Sequence, residues 1–288
     1  MRNAVGVIDK LSGYLNNFRN RPWWMIRLII SRFLLTTGLC RLLTIKLGNT
    51  KLRFFPTKFS ADLWFPSVNI LAEYNLPFLH PGDTVIDVGA NIGFTTLLFK
   101  KLVGDVGKVF AFEPNPVVFK YLQKNIELNK IDNVFLFNYA VGERKGKVLL
   151  RDNKKDDTFN KITQNRDNGF AVDMDCLDSL LKDFLIETVN LLKIDTEGYE
   201  KFVLLGAKGI LAKTRAINFE GTERLYQQFH YNLAEVVNLL ESSGFFVYGF
   251  NKGTNRFEIF NIKNNNDIYS QDFFAVRDPS LMKDVKWI

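Results

Sequence analysis

Between residues 84 and 276, short apolar runs alternate with stretches of helical periodicity. Residues 84–88, 108–112, 134–139, 189–194 and 216–219 are brief and rich in Val, Ile, Leu and Phe, the mark of strands buried on both faces. Helical spacing predicts helices over residues 94–102, 116–129, 177–185, 199–211 and 232–242, and two further strands, 245–250 and 272–276, close the pattern. Asn115 is placed to cap the second of these helices, and Pro116 suits its first turn. Apolar strands separated by helices predict an α/β domain, a mainly parallel sheet with helices on both faces. Ligands bind such sheets beyond the carboxyl ends of the strands.

Upstream, the pattern changes. In residues 22–47, Trp23, Ile26, Ile29, Ile30, Phe33 and Leu34 fall on one half of a helix, while Arg27, Ser31, Arg32 and Thr36 share the other half with further apolar residues. The longest uncharged run, Phe33 to Cys40, has eight residues, far short of the roughly 20 that span a bilayer. Neither a span nor a secretion signal is expected. Gly48-Asn49 then separates two alternating runs, predicting a hairpin. The expected organisation is a basic, apolar helical extension over 1–41 and a main domain over 42–288, divided into an entry hairpin (42–60), a core (61–250) and a C-terminal closing strand and tail (251–288). The polar stretch 151–168 reads as a long surface loop.

Charge sharpens this division. Residues 1–60 hold eleven Lys or Arg against one acid, Asp9, so the net charge of +7 conceals a +10 extension on a body of −3. A uniformly basic nucleic-acid-binding protein is excluded, and no nucleic-acid partner is expected. The extension has two readings, a cover packed on the domain or an interfacial helix meeting anionic headgroups through residues 19–46. The second would put a cytoplasmic protein at the inner face of a membrane. Two cysteines, Cys40 and Cys176, make neither a disulfide framework nor a metal motif.

The chemistry stands at the strand ends. Asp87-Val88-Gly89-Ala90-Asn91-Ile92-Gly93-Phe94 follows the first strand, with glycines that admit close backbone approach and a helix N-terminus beyond them. A dinucleotide fingerprint would need glycine where Asn91 and Phe94 stand, which argues against a nicotinamide dehydrogenase, and no Walker loop is present. Glu113 ends the second strand, where a carboxylate can accept hydrogen bonds from ribose hydroxyls. A glycine turn followed by a strand-end acid favours a nucleoside cofactor without pyrophosphate.

The strings VIDVGANIGFTTLLF, GKVFAFEPNP, NYAVGE, LDSLL and LLKIDTEGYE, in this order and spacing, resemble the FkbM family of S-adenosylmethionine-dependent methyltransferases. The resemblance covers roughly residues 82–250. It implies the class I, Rossmann-like methyltransferase fold with a seven-stranded sheet whose last strand is reversed. It also implies S-adenosylmethionine as cofactor and O-methylation of a sugar or polyketide-type hydroxyl. Carried over by position, it puts Asp87, Gly89, Asn91 and Gly93 around the methionine part, Glu113 on the ribose with Asn115 nearby, and Ala140 and Val141 beside the adenine. Asp195 would face the cofactor's amino group or the acceptor. Thr196 departs from the commoner valine of that motif.

Methyl transfer to an alcohol needs alignment and removal of a proton. Asp195, Glu197 and Glu220 are the candidate catalytic acids, with His230, expected to start a helix, and His80 as weaker alternatives. The three acids could converge on a divalent metal, but no His-carboxylate spacing supports one and none is assigned. The acceptor is expected to be a small molecule or a glycan, lipid-linked if the extension is interfacial. The competing readings are a nucleic-acid or protein methyltransferase and a non-catalytic membrane-associated protein that retains the fold. An Asp-Thr-Glu-Gly string stands where base methylation would want Asn/Asp-Pro-Pro-aromatic.

Overall fold

The structure is a computed structural model that describes residues 30, 33, 36–47, 50–57, 60, 76–151, 162–163, 169–251, 254, 256–261, 271–283 and 285. The chain separates into two compact units, Met1–Ile70 and Leu71–Ile288. In the first, β1 (Thr44–Leu47) and β2 (Thr50–Arg53) pair antiparallel with Leu47 opposite Thr50, the register that a two-residue connection requires. The expected hairpin therefore forms, within the first unit; its turn residues and most of the predicted N-terminal helix lie outside the described residues. Among the described residues, no helix is long and apolar enough to cross a membrane.

The second unit is built on β3 (Thr84–Val88), β4 (Lys108–Phe112), β5 (Val134–Phe137), β10 (Val189–Ile194), β11 (Thr214–Gly221), β12 (Phe246–Asn251), β13 (Arg256–Ile259) and β14 (Gln271–Val276). They form one sheet in the order β13-β12-β14-β11-β10-β3-β4-β5. The strands β5, β4, β3, β10 and β11 are mutually parallel, and β14 runs antiparallel between β11 and β12. This is the α/β sheet with a reversed last strand that the resemblance implies, with β13 added at the edge as an eighth strand. The addition is local: β12 turns back on itself and pairs antiparallel with β13 from Tyr248–Ile259 to Asn251–Arg256.

Helices α1 (Phe94–Val103), α2 (Pro116–Leu128) and α3 (Leu177–Leu180) occupy crossovers between strands. So do α4 (Glu200–Leu205), α5 (Lys208–Lys213), α6 (Glu223–Tyr226) and α7 (Leu233–Ser242). Asn115 caps α2, its Oδ1 accepting from the N–H groups of Val117 and Val118. Asn232 and Glu235 form a reciprocal capping box on α7.

Two expected helices are cut short for visible reasons. Residues 199–211 divide into α4 and α5 around Gly206, where a Cβ would lie 2.0 Å from the Gly142 carbonyl oxygen. After α3 the apolar period fails, since Lys182 and Asp183 are exposed and Leu185 is almost fully so.

A second sheet was not anticipated. It comprises β6 (Ala140–Val141), β7 (Gly146–Arg151), β8 (Ile162–Thr163) and β9 (Gly169–Asp175) in the order β6-β9-β7-β8. Thus β8, lying inside the stretch expected to be a loop, pairs with β7 through Leu149–Thr163 and Leu150–Ile162. Ala140, Leu150, Val172 and Met174 give this sheet its own small apolar cluster.

The main core joins the inner faces of β3, β4, β10, β11, β12 and β14 to α4, α5 and α7. Neighbouring parallel strands stack their rings, Phe110 on Phe135 at 5.0 Å and Phe112 on Phe137 at 4.6 Å, with Phe184 edge-on to both pairs. Such pairs contribute about 0.5–1.5 kcal/mol beyond area burial. Their packing ties β4 to β5 near the carboxyl ends of the two strands.

Candidate active site

The loop after β3 is shaped by three successive left-handed positions, Gly89 (φ 87°), Asn91 (φ 50°) and Gly93 (φ 91°). A Cβ on Gly89 would lie 1.8 Å from the backbone carbonyl oxygen of Asp195. The missing side chain lets the turn after β10 press against this loop, joining the expected cofactor and acceptor sides. Asp87, assigned to the methionine part of the cofactor, has no exposed surface. Its Oδ2 accepts from the hydroxyls of Thr95 (3.0 Å) and Thr96 (2.7 Å), while its Oδ1 lies 3.8 Å from the Lys193 ammonium. Burial pushes its carboxyl pKa up, against the pull of Lys193. Asp87 thus ties down the start of the helix that follows the loop.

Glu113 stands at the end of β4, nearly buried. Its Oε2 accepts from the Asn91 N–H (3.0 Å) and its Oε1 from the Asn115 N–H (2.8 Å), so one carboxylate links the first two strand-end loops. A carboxylate's roughly four acceptor positions allow one that holds two backbone N–H groups also to receive ribose hydroxyls. Gly93 gives α1 no side-chain cap, which leaves its first-turn N–H groups facing the loop. Ala140 and Val141, which the resemblance sets beside the adenine, form β6 after the next strand and are almost fully buried. The acid that bridges the loops, the uncapped helix start and the left-handed loop fit a nucleoside cofactor with an amino-acid tail.

Across the sheet, Asp195, Glu197 and Glu220 offer carboxylate oxygens that all lie within 4.8 Å of one another, each residue partly exposed. These acids come from two adjacent strand ends, since Ile194 pairs with Phe219. The Asp195 Oδ2 lies 3.0 Å from the Lys193 Nζ. The Thr222 hydroxyl donates to the Glu220 Oε1 (3.0 Å), and the Tyr226 hydroxyl donates to the Glu220 backbone oxygen (2.7 Å). Such a spacing would admit a divalent cation or a polar acceptor bearing several donors. His230 lies elsewhere: exposed and left-handed (φ 61°), it ends a short 3-10 turn, and Asn232 begins the next helix. His80 is an exposed turn residue whose N–H donates to Asp83.

Four supporting residues escaped sequence reasoning. Lys193, nearly buried, stands between Asp87 and Asp195. Asn138 donates through Nδ2 to the backbone oxygens of Glu113 and Pro114, and Asn125 likewise to that of Ile92, bracing the loops from behind. Glu200 accepts three hydrogen bonds from the turn that carries Glu197. For Lys193 the signal was present, since a cation next to the end of a strand that reads as buried needs a partner.

The Methyltransferase FkbM domain family model matches residues 87–247, more than half of the chain. The chain is similar to "2-O-methyltransferase NoeI" of Sinorhizobium fredii, 26% identical over 179 residues that cover 56% of this chain and 72% of that protein. It is also similar to "31-O-demethyl-FK506 methyltransferase FkbM" of Streptomyces tacrolimicus, 28% identical over 202 residues, or 59% of this chain and 75% of that one. Among solved structures, Methyltransferase FkbM from Methylobacillus flagellatus superposes with a TM-score of 0.44 at 15% identity, over 67% of this chain and 43% of that one.

Proposed function

The chain belongs to the FkbM methyltransferase family, whose cofactor is S-adenosylmethionine, and from that premise we propose that it methylates a hydroxyl of a small molecule or glycan. The observation that carries this reading is the convergence of Asp195, Glu197 and Glu220 beside the loop of Gly89. The names of both relatives, which specify a 2-O and a 31-O position, support a hydroxyl as the acceptor.

The bound sulfonium supplies a methyl group already activated for displacement. The protein's task is to hold the acceptor oxygen in line and to take its proton. Asp87, Gly89, Asn91 and Gly93 shape the loop for the methionine part, with Glu113 on the ribose, Asn115 beside it, and Ala140 and Val141 at the adenine. One of the three clustered acids receives the proton, and the others hold neighbouring hydroxyls. A polyhydroxylated acceptor suits three acceptor side chains better than an isolated alcohol does.

The test is transfer of labelled methyl from S-adenosylmethionine into fractionated cell extract, including the lipid fraction. The proposal expects label that survives alkali, as an ether does. Label released as methanol would identify an ester and overturn it. Glu220→Gln is expected to lower the transfer rate by about 100-fold, the lower end of general-base effects, with cofactor affinity unchanged.

The basic extension supports a peripheral site of action. Residues 19–46 would lie against the anionic inner face of a membrane, a reading favoured by the +10 charge of residues 1–60 and by the exposure of Ile30 (41%) and Phe33 (57%). In that setting the acceptor would be lipid-linked.

A further inference from the structure

Glu200 touches none of the cofactor or acceptor positions above and has no exposed surface, so it cannot itself exchange a proton with an acceptor. It begins α4, directly after the turn that carries Asp195 and Glu197. One of its oxygens, Oε1, accepts from the Thr196 N–H (2.9 Å), the Thr196 hydroxyl (2.9 Å) and the Gly198 N–H (3.3 Å). The other, Oε2, is buried with no hydrogen-bond partner. The turn so held is one that L side chains resist, with Glu197 at φ 56° and Gly198 at φ 104°.

Two tyrosines complete the support. The Tyr231 hydroxyl donates to the Gly198 backbone oxygen (2.7 Å), the Tyr226 hydroxyl donates to that of Glu220, and the two rings stack at 4.6 Å. The turn of Glu197 and the strand end of Glu220 are thereby bound to one buried group. A side chain in a left-handed position points where an extended or helical residue would not point. Releasing the turn would therefore move the Glu197 carboxylate away from its two neighbours.

We propose that Glu200 is a positioning residue for methyl transfer: by accepting three hydrogen bonds from the 196–198 turn, it holds Glu197 against Asp195 and Glu220 in a preassembled acceptor site. This rests on the reading of those acids as the acceptor site, so the experiment has two arms, one of which needs no acceptor.

In the first arm, amide hydrogen exchange is followed on the full chain. Glu200→Ala is expected to speed exchange at Thr196 and Gly198 by about tenfold or more, as loss of a buried hydrogen-bond acceptor does, while Leu192 and Ile217 stay within about twofold. Glu200→Gln, whose amide oxygen can accept the same three bonds, restores most of the protection. Equal exchange in wild type and Glu200→Ala, or Gln behaving as Ala, overturns the proposal. If Glu200→Ala does not fold, Thr196→Ala replaces it. That variant removes the hydroxyl donor alone and is expected to speed exchange at both amides by about threefold, and no increase overturns the proposal.

In the second arm, initial rates of labelled methyl transfer into extract are measured beside calorimetry with S-adenosylmethionine. Glu200→Ala should lower kcat by about tenfold or more with cofactor affinity within about twofold, and Glu200→Gln should recover to within about threefold of wild type. An unchanged kcat, or parallel losses of rate and cofactor affinity, contradicts positioning. If the wild type transfers no methyl, the functional reading fails while the exchange result still decides the role of Glu200 in the turn.

Discussion

Lys193 and Glu200 are buried ionisable side chains on the two sides of the turn at Asp195. Burial pushes the Glu200 carboxyl up to about 7 from an ordinary 4.5. The folded protein therefore binds this proton more tightly than the unfolded chain does. Its stability falls as pH rises from about 4.5 through about 7, by on the order of 3 kcal/mol at about 1.4 kcal/mol per unit. Urea unfolding at pH 5 and pH 8 should show a decline in wild type larger by that amount than in Glu200→Gln; equal declines would contradict the buried carboxyl. Lys193→Met leaves Asp87 enclosed without its cation and should cost about 3 kcal/mol at pH 8. The cost should shrink at pH 5, where Asp87, already pushed up by burial, takes a proton more readily. Glu113, Asp195 and Glu220 were legible because each directly follows or ends an apolar run. Glu200 was not, because a glutamate in the first turn of a helix ordinarily faces water beside the helix dipole. Nothing local announces that this one turns inward to three donors.

At the scale of elements, strand and helix ends place the chemistry, and their strength can be tested apart from it. The Asn232–Glu235 capping box starts α7 close behind Tyr231. Asn232→Ala should cost about 1 kcal/mol in thermal or urea unfolding, with exchange at the 196–198 turn little changed. A change below about 0.3 kcal/mol would show that packing alone sets this helix start. The strands β3, β4 and β10 matched their expected bounds residue for residue, because a run buried on both faces leaves no ambiguity of period. Within the second sheet, β6 and β8 went unread since they have two residues each, too short for any periodicity. The division of α4 from α5 depends on contact between Gly206 and Gly142, residues 64 positions apart, and such contacts leave no local trace.

For the whole molecule, the asymmetry of charge separates place from chemistry. The full chain is expected to sediment with anionic vesicles and much less with neutral ones. The combined variant Arg27→Glu, Arg32→Glu and Arg41→Glu should abolish the difference, since each cation near such a surface contributes about 1 kcal/mol. Equal sedimentation of the two proteins with anionic vesicles would remove the membrane reading and leave the catalytic one intact. The cofactor half of that reading stands on loops at the carboxyl ends of β3 and β4 joined by Glu113, and a titration reaches it directly. Calorimetry of the full chain with S-adenosylmethionine should give saturable binding at one site, weakened about tenfold or more in Glu113→Ala as charge-assisted hydrogen bonds are lost while unfolding remains cooperative. Absence of binding by the folded wild type at millimolar ligand, or equal affinity in wild type and Glu113→Ala, would contradict the account.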